Sequence, residues 1–243
     1  MWRVEGSWDA QTYRTTTDPR FREERASGGL SVGNWLTPHL RYELNGGLDV
    51  WDGTRRAVAA GGGLEQRWFG DRVSLTGAIT HWNGLKDTPS FDATSLVGSI
   101  RSSTNPLGWV MASTARMEAA TEQAPLALWP GAGDGRTRPG LLRAHGLVHD
   151  GIIDDSVFGR CVAVVNVELQ RWFQGPMLVR YAAAAFMDAA HADRRLTAEG
   201  KPLQVDVGLG LRMRVPGTES GLRLDVAHGT RDGTNRISVG WTP

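Results

Sequence analysis

His145, His149, Asp150, Asp154, Asp155 and Ser156 put imidazoles, carboxylates and a hydroxyl into one short stretch. Two chemistries use such groups. Metal ligation needs imidazoles at a fixed spacing, and nucleophilic hydrolysis needs a hydroxyl beside a base. A His-x3-His spacing suits a helix face, but no helix pattern runs through this stretch. No carboxylate stands at a fixed spacing to it either. The cluster therefore reads as a solvated loop, with no catalytic residue, no metal site and no cofactor. Gly131-Ala132-Gly133-Asp134-Gly135 lacks the Lys-Ser/Thr pair and helix start of a phosphate loop. Cys161 is the single cysteine, which excludes an internal disulfide and any Cys-rich metal site. It reads as a small buried or lipid-facing residue.

The elements that must position these residues follow a period of two. From 205 to 215, Val205, Val207, Leu209, Leu211, Met213 and Val215 alternate with Asp206, Gly208, Gly210, Arg212 and Arg214. Alternate side chains of a strand face opposite sides, so this segment has one apolar and one charged face. From 40 to 50, Leu40, Tyr42, Leu44, Leu48 and Val50 oppose Arg41, Glu43, Asn45 and Asp49. The pattern predicts about twelve strands, near 2–13, 24–36, 40–51, 56–69, 72–83, 92–104, 108–121, 159–173, 176–190, 204–216, 221–229 and 235–242. Ala182–Ala185 has helix propensity, but its flanks Val179, Tyr181, Phe186 and Met187 favour a strand. Many of these strands reach the ~9–11 tilted residues that cross a bilayer, against ~5–6 in soluble sheets.

The links between the strands alternate in length. Odd-numbered links are mostly long, and 122–158 is the longest. Even-numbered links are tight: Thr37-Pro38-His39, Gly70-Asp71, Asn105-Pro106-Leu107, Gln174-Gly175 and Pro216 to Ser220. An up-and-down barrel in an outer membrane shows this asymmetry. Trp35, Trp68, Trp172 and Trp241 end strands that run toward the tight-turn side, and Trp109 begins one there. Trp51 and Trp82 fall at the opposite end. Two aromatic girdles at the headgroup levels are expected from this placement.

The 243 residues carry a net charge of +1, which gives no electrostatic case for nucleic acid. Hydrophobic residues make up 40%, and no run approaches the ~18 apolar residues of a membrane helix. Met1-Trp2-Arg3-Val4-Glu5 does not open like a secretory signal. A soluble barrel or sandwich with tryptophans in its core is the competing fold. Strand length, tryptophan placement and the shared charged face, from Arg41 and Glu43 to Arg223 and Asp225, count against it. The expected fold is an all-β, antiparallel, up-and-down transmembrane barrel over 1–243. Its charged face lines a wet lumen, and its partner is the lipid bilayer.

The second half of the chain resembles a known family. Leu128-Trp129-Pro130-Gly131 leads to Leu141-Leu142-Arg143-Ala144-His145-Gly146, similar to a Gly-rich approach and an Arg-Gly-aromatic loop tip. Val165-Asn166-Val167-Glu168-Leu169-Gln170-Arg171 resembles an Asn-x-Glu-x-Arg strand, and Phe186-Met187-Asp188-Ala189-Ala190 resembles Phe-x-Asp-x-Gly. With the closing stretches at 207–212, 222–225 and 238–241, these match the BamA/TamA-like surface-antigen superfamily of outer-membrane barrels. Ala144, His145 and Ala190 depart from the family pattern. The resemblance covers about 125–243 by motif and 1–124 by strand pattern. It implies sixteen strands, eleven before the long loop where this chain shows seven, and preceding POTRA domains. The chain is then either a fragment or a reduced twelve-stranded barrel. In a twelve-stranded barrel the first and last strands must pair, because an open edge cannot sit in hydrocarbon.

The resemblance further implies that the tip arginine, Arg143, folds into the lumen and meets Asp188. Parity agrees. Val179, Tyr181 and Met187 share the apolar face, so Phe186 and Asp188 share the lumen face, with Glu168 a second partner on the adjacent strand. Gly146 completes the tip. In function the resemblance implies assembly or translocation of unfolded outer-membrane or secreted proteins by strand pairing at a barrel seam. A passive pore, a membrane anchor and a barrel enzyme at His145/Ser156 are the alternatives.

Overall fold

The computed structural model describes residues 1–105, 107–134, 138–153, 157–176, 179–196, 202–214 and 221–242, without the side chains of Trp241 and Thr242. The expected turn residues Pro106 and Pro216–Ser220, the loop glycine Gly135, and Asp154, Asp155 and Ser156 lie outside them.

Seven strands precede the long loop: β1 (Trp2–Tyr13), β2 (Phe21–Thr37), β3 (Leu40–Trp51), β4 (Arg55–Trp68), β5 (Val73–Leu85), β6 (Phe91–Arg101) and β7 (Gly108–Ala120). Within the loop lie the two-residue strands β8 (Ala132–Gly133), β9 (Gly140–Leu141), β10 (Val148–His149) and β11 (Ile152–Ile153). Five long strands follow: β12 (Gly159–Gln174), β13 (Arg180–Arg195), β14 (Leu203–Arg214), β15 (Gly221–Gly229) and β16 (Asn235–Thr242). Each long strand pairs antiparallel with its neighbour in order, and β7 bridges across the loop to β12. Tight hairpins follow local chemistry. Asp52-Gly53 closes the β3–β4 turn with φ of 51° and 68°, the left-handed pair that an Asp-Gly hairpin needs.

The largest shift from the expected strand boundaries is in β13. β13 runs from Arg180 to Arg195 and not over 176–190. It pairs with β12 from Gln174↔Arg180 to Gly159↔Arg195, so the ladder continues past the apolar residues into His191 and Asp193. Backbone pairing, not side-chain polarity, sets that end.

The burial pattern is inverted relative to a soluble protein. Leu44, Leu64, Ile79, Met117, Leu169, Leu209, Leu211, Val226 and Ile237 are exposed along the outer face. Glu23, Asp49, Asp188, Asp206, Arg212 and Asp225 are buried on the inner face. Water does not stabilise so broad an apolar belt, whereas a bilayer does. Among the described residues ion pairs run along the inner wall, including Arg41–Glu65, Arg67–Glu65, Arg116–Glu118 and Arg25–Asp49.

Three girdle assignments need correction. Trp51, Trp82 and Trp172 are buried on the inner face. Trp82 donates its Nε1–H to Asp49 Oδ2 at 2.6 Å, and Trp172 donates to Gln170 Oε1 at 2.7 Å. Each shares the parity of an inward polar residue, Trp51 with Asp49 and Trp172 with Glu168, and that parity overrides its position near a strand end. Trp35, Trp68 and Trp109 are exposed at the turn side. Trp241 ends β16, but its side chain lies outside the description.

At the loop side the interior is apolar. Trp51 packs edge-on to Phe91, with ring centroids 5.5 Å apart, and Trp82 stacks on Phe91 at 5.3 Å. Beside them Tyr13, Phe158, Ile153 and Leu147 form a second cluster under the loop.

Closure also differs from expectation. Among the described residues β16 pairs with β15 alone. β1 pairs with β2 and, at Thr12↔Ile152 and Tyr13↔Ile153, with β11 from the long loop. The first and last long strands therefore do not meet. Over residues 2–9 β1 is exposed and pairs with β2 alone among the described residues.

Candidate functional site

The long loop does not stand out in solvent. It turns inward, and its tip, Leu142 to Leu147, is buried against the inner faces of β12 to β16. The strands supply that face by parity alone. On β12, Asn166 and Glu168 point inward between the outward Val165 and Leu169. On β13, Phe186 and Asp188 point inward between Ala185 and the outward Met187.

Arg143 is the centre of the contact. Its Nη1 donates to Glu168 Oε2 at 2.7 Å. Its Nε lies 3.2 Å from Asp188 Oδ2 and 3.9 Å from Asp225 Oδ2, without the alignment of a hydrogen bond. Its backbone N–H reaches Asp188 Oδ2 at 3.3 Å. The guanidinium lies over the Phe186 ring, 3.8 Å from the centroid, a close cation–π contact. Asp188 also accepts from Asn166 Nδ2 at 2.8 Å, and the same nitrogen donates to Leu141 O at 2.9 Å. Glu168 is shared. Arg212 donates to both its oxygens, at 2.7 and 2.6 Å, and turns its remaining nitrogen to Asp225 Oδ1 at 2.6 Å. Glu168, Arg143, Arg212 and Asp225 thus form a network of two cations and two anions, with Asp188 attached through Arg143.

The next two residues of the tip dock on a second carboxylate. Ala144 N–H donates to Asp206 Oδ2 at 2.5 Å, and His145 Nδ1 lies 2.8 Å from Asp206 Oδ1. His145 Nε2 lies 2.8 Å from Asp232 Oδ2 in the turn between β15 and β16. His145 is therefore buried between two acids, which corrects its expected place in a solvated loop; His149 is exposed. Burial on its own disfavours the imidazolium, but the hydrogen bonds and charges of Asp206 and Asp232 outweigh it. They hold the His145 pKa above its ordinary value. Partial burial likewise works against ionised Asp232, yet the Thr234 N–H and His145 pull it down to about 2. Behind the tip, Asp134 accepts from Arg236 Nε at 2.7 Å, and a side chain at Gly146 would meet Arg236 Nη1 at 2.6 Å. Only glycine fits there without moving that arginine.

The structure thus brings Arg143, Glu168, Asp188, Phe186 and Gly146 together. Asp206, Asp225 and Arg212 were not singled out as partners of the tip, although alternation put all three on the charged face. Nothing in the sequence placed Asp232, which belongs to a turn. Among the described residues the arrangement shows no nucleophile beside a base. What it can do is hold a loop across the lumen by charge-assisted contacts.

No protein-family model matches the chain, and a search of curated proteins finds no match. Solved structures do match. The crystal structure of BamA from Haemophilus ducreyi lacking POTRA domains 1-3 superposes with a TM-score of 0.62 at 11% identity, over 92% of this chain and 55% of that one. The chain therefore spans about half the length of that structure. The beta domain of the Bordetella autotransporter BrkA aligns over 99% of this chain at 14% identity with a TM-score of 0.35, too loose to inform the fold. Strand order, inverted burial and the BamA superposition agree: this chain has the all-β, up-and-down fold of an outer-membrane barrel of the BamA kind.

Proposed function

We propose that this chain works in the bacterial outer membrane, in the assembly or translocation of other proteins, by strand pairing and without catalysis or a cofactor. The observation that carries this reading is the loop docked in the lumen beside β1 and β16, which do not pair with each other among the described residues. Unpaired backbone N–H and C=O groups in hydrocarbon cost several kcal/mol each, on the order given by transfer data. An edge in that setting is a strong template for an incoming strand. The partners are then the lipid bilayer and unfolded outer-membrane or secreted chains. The motif resemblance over 125–243 points the same way.

The test is a seam lock. In a Cys161→Ala background, paired cysteines are placed on β1 and β16 and joined with a bifunctional thiol reagent. Insertion of a barrel substrate into vesicles is then followed. The locked protein is expected to lose insertion and to regain it on reduction of a cleavable linker. Full activity with the edges joined would overturn strand pairing at this seam.

A passive pore or anchor is the second reading. The charged inner wall favours a pore. The apolar plug of Tyr13, Phe158 and Trp129 at the loop side disfavours one. Planar-bilayer conductance separates the two, since an open pore conducts steadily without any substrate.

A further inference from the structure

The outer face of the barrel is apolar through its middle, so a charge on it stands out. One lies at the tight-turn end of β12. Leu169 and Phe173 are exposed there and Trp172 is buried on the inner face, so Arg171 has the outward parity. It is half-buried and stands directly opposite Trp109 on β7 and Ala183 on β13. Its guanidinium carbon lies 5.5 Å from the Trp109 ring centroid and 5.6 Å from that of Phe173. Phe173 in turn stacks on Tyr181 at 5.6 Å.

No anion of the protein answers this charge. Among the described residues Arg171 forms no ion pair and no side-chain hydrogen bond, and the two rings are its charge contacts. The outward positions of β7 and β14 hold no charged residue, and on β13 the outward Asp193 lies at the far, loop-side end. The Trp109 indole N–H and the Tyr181 hydroxyl, both on exposed side chains, also lack a protein acceptor among the described residues. Ala183 is too short to cover the guanidinium from its side. A cation is costly in hydrocarbon, and long basic side chains near a membrane boundary reach for the headgroups. Aromatic rings hold the charge at that level, but they take few of the five N–H donors of a guanidinium. A phosphodiester supplies both the charge and the acceptor oxygens, in a two-point contact with the planar fork.

We propose that Arg171, bracketed by Trp109 and Phe173, binds the phosphate of a phospholipid headgroup in the leaflet on the tight-turn side. The lipid arrives laterally from the bilayer over Ala183, with Trp109 and Tyr181 as further donors at the same level. Its acyl chains lie along the apolar outer face of β12 and β13. The inference rests on the bilayer setting of the proposed function and is independent of strand pairing at β1 and β16.

The test uses the full chain folded in an uncharged maltoside detergent. Binding of dioctanoyl phosphatidylglycerol is followed by native mass spectrometry and by melting temperature. The comparisons are dioctanoylglycerol, which has the same chains without phosphate, and inorganic phosphate. Saturable binding of the phospholipid is expected, ~10-fold or more tighter than that of either comparison, the gain from a charge-assisted contact. Arg171→Gln should weaken it by a similar ~10-fold or more. Arg72→Gln removes a charge on the same side, but one already bound to the Phe69 and Ser102 carbonyls, and should leave binding intact. If Arg171→Gln does not fold, Arg171→Met, which suits an apolar face, takes its place. Dioctanoylglycerol or inorganic phosphate bound as tightly as the phospholipid, or a folded Arg171 variant that binds it no more weakly than Arg72→Gln, would overturn the proposal. Folding of the parent chain into phosphatidylcholine vesicles tests the bilayer setting by itself, so failure of the lipid site and failure of the membrane reading give different results.

Discussion

Asp188 and Asp206 stand directly opposite each other on β13 and β14, and both are fully buried. Two carboxylates on one rung repel, and each is satisfied by a different residue of the same loop tip. Asp188 takes Arg143 from one side, and Asp206 takes the Ala144 N–H and His145 from the other. The strands are therefore incomplete without the loop, and the loop is located by the strands.

Removing the arginine should expose that dependence. Arg143→Ala leaves Asp188 and part of Glu168 buried without their cation, which costs about 3 kcal/mol by analogy with broken buried pairs. The expected result is a lower melting temperature and faster proteolysis within 122–158. Adding Asp188→Asn removes the orphaned charge and should recover part of the loss. Equal stability of Arg143→Ala and the parent protein would mean that water in the lumen already screens the pair.

Loop docking should also depend on pH, with two limbs of opposite sign. His145 has a raised folded pKa, so its contribution is complete below about pH 6.5, the unfolded value, and is lost as pH rises through the folded pKa. Asp232 has a depressed folded pKa of about 2. Its contribution is complete above about pH 3.9 and is lost as pH falls toward about 2. Protection of the loop from protease should therefore be greatest between about pH 4 and 6.5. His145→Gln should flatten the alkaline limb and leave protection below it weaker. An unchanged alkaline limb in that variant would assign the titration to another group.

What was legible in the sequence divides along a physical line. The twelve long strands were legible because one face of each meets an apolar medium and the other meets charge, so side chains alternate. The inward setting of Asp188, Phe186 and Glu168 followed from the same parity. The place of His145 was not legible, because its partners come from β14 and a turn more than sixty residues away. Trp51, Trp82 and Trp172 lie near strand ends, where a girdle is expected, but their parity turns them inward. That β1 and β16 do not pair among the described residues could not be read at all. A strand's own pattern shows which faces it presents, not which backbone, if any, lies beside its edge.

Two glycines should respond differently to the same methyl group. At Gly146 the added Cβ meets the far end of Arg236, a flexible side chain. Gly146→Ala should cost about 1 kcal/mol, and Arg236→Ala should relieve it. At Gly208 the Cβ meets the Val226 carbonyl and the Phe186 ring. Neither can retreat, and Phe186 is the ring beneath Arg143. Gly208→Ala should therefore destabilise the protein more than Gly146→Ala and also loosen the loop. Thermal unfolding together with loop proteolysis would show this, and a Gly208→Ala protein as stable as Gly146→Ala would contradict the packing described.

The orientation of the whole barrel can be tested at one outward residue. Leu209 lies at the middle of β14, between Ala185 and Val226 on the neighbouring strands, and is 67% exposed. If that face meets acyl chains, Leu209→Arg costs about 2–4 kcal/mol, the penalty for a cation at the bilayer midplane. If it meets water, the change falls within about 0.5 kcal/mol, and Leu209→Ala differs little from it. Folding into phosphatidylcholine vesicles, followed by the heat-dependent gel shift of a folded barrel, should be impaired strongly by arginine and weakly by alanine. The same arginine in a flexible detergent micelle should do less harm, because a micelle deforms to hydrate it. Equal folding of Leu209→Arg and the parent chain in vesicles would turn the apolar belt toward water, and both the bilayer and the seam proposal would then lose their physical basis.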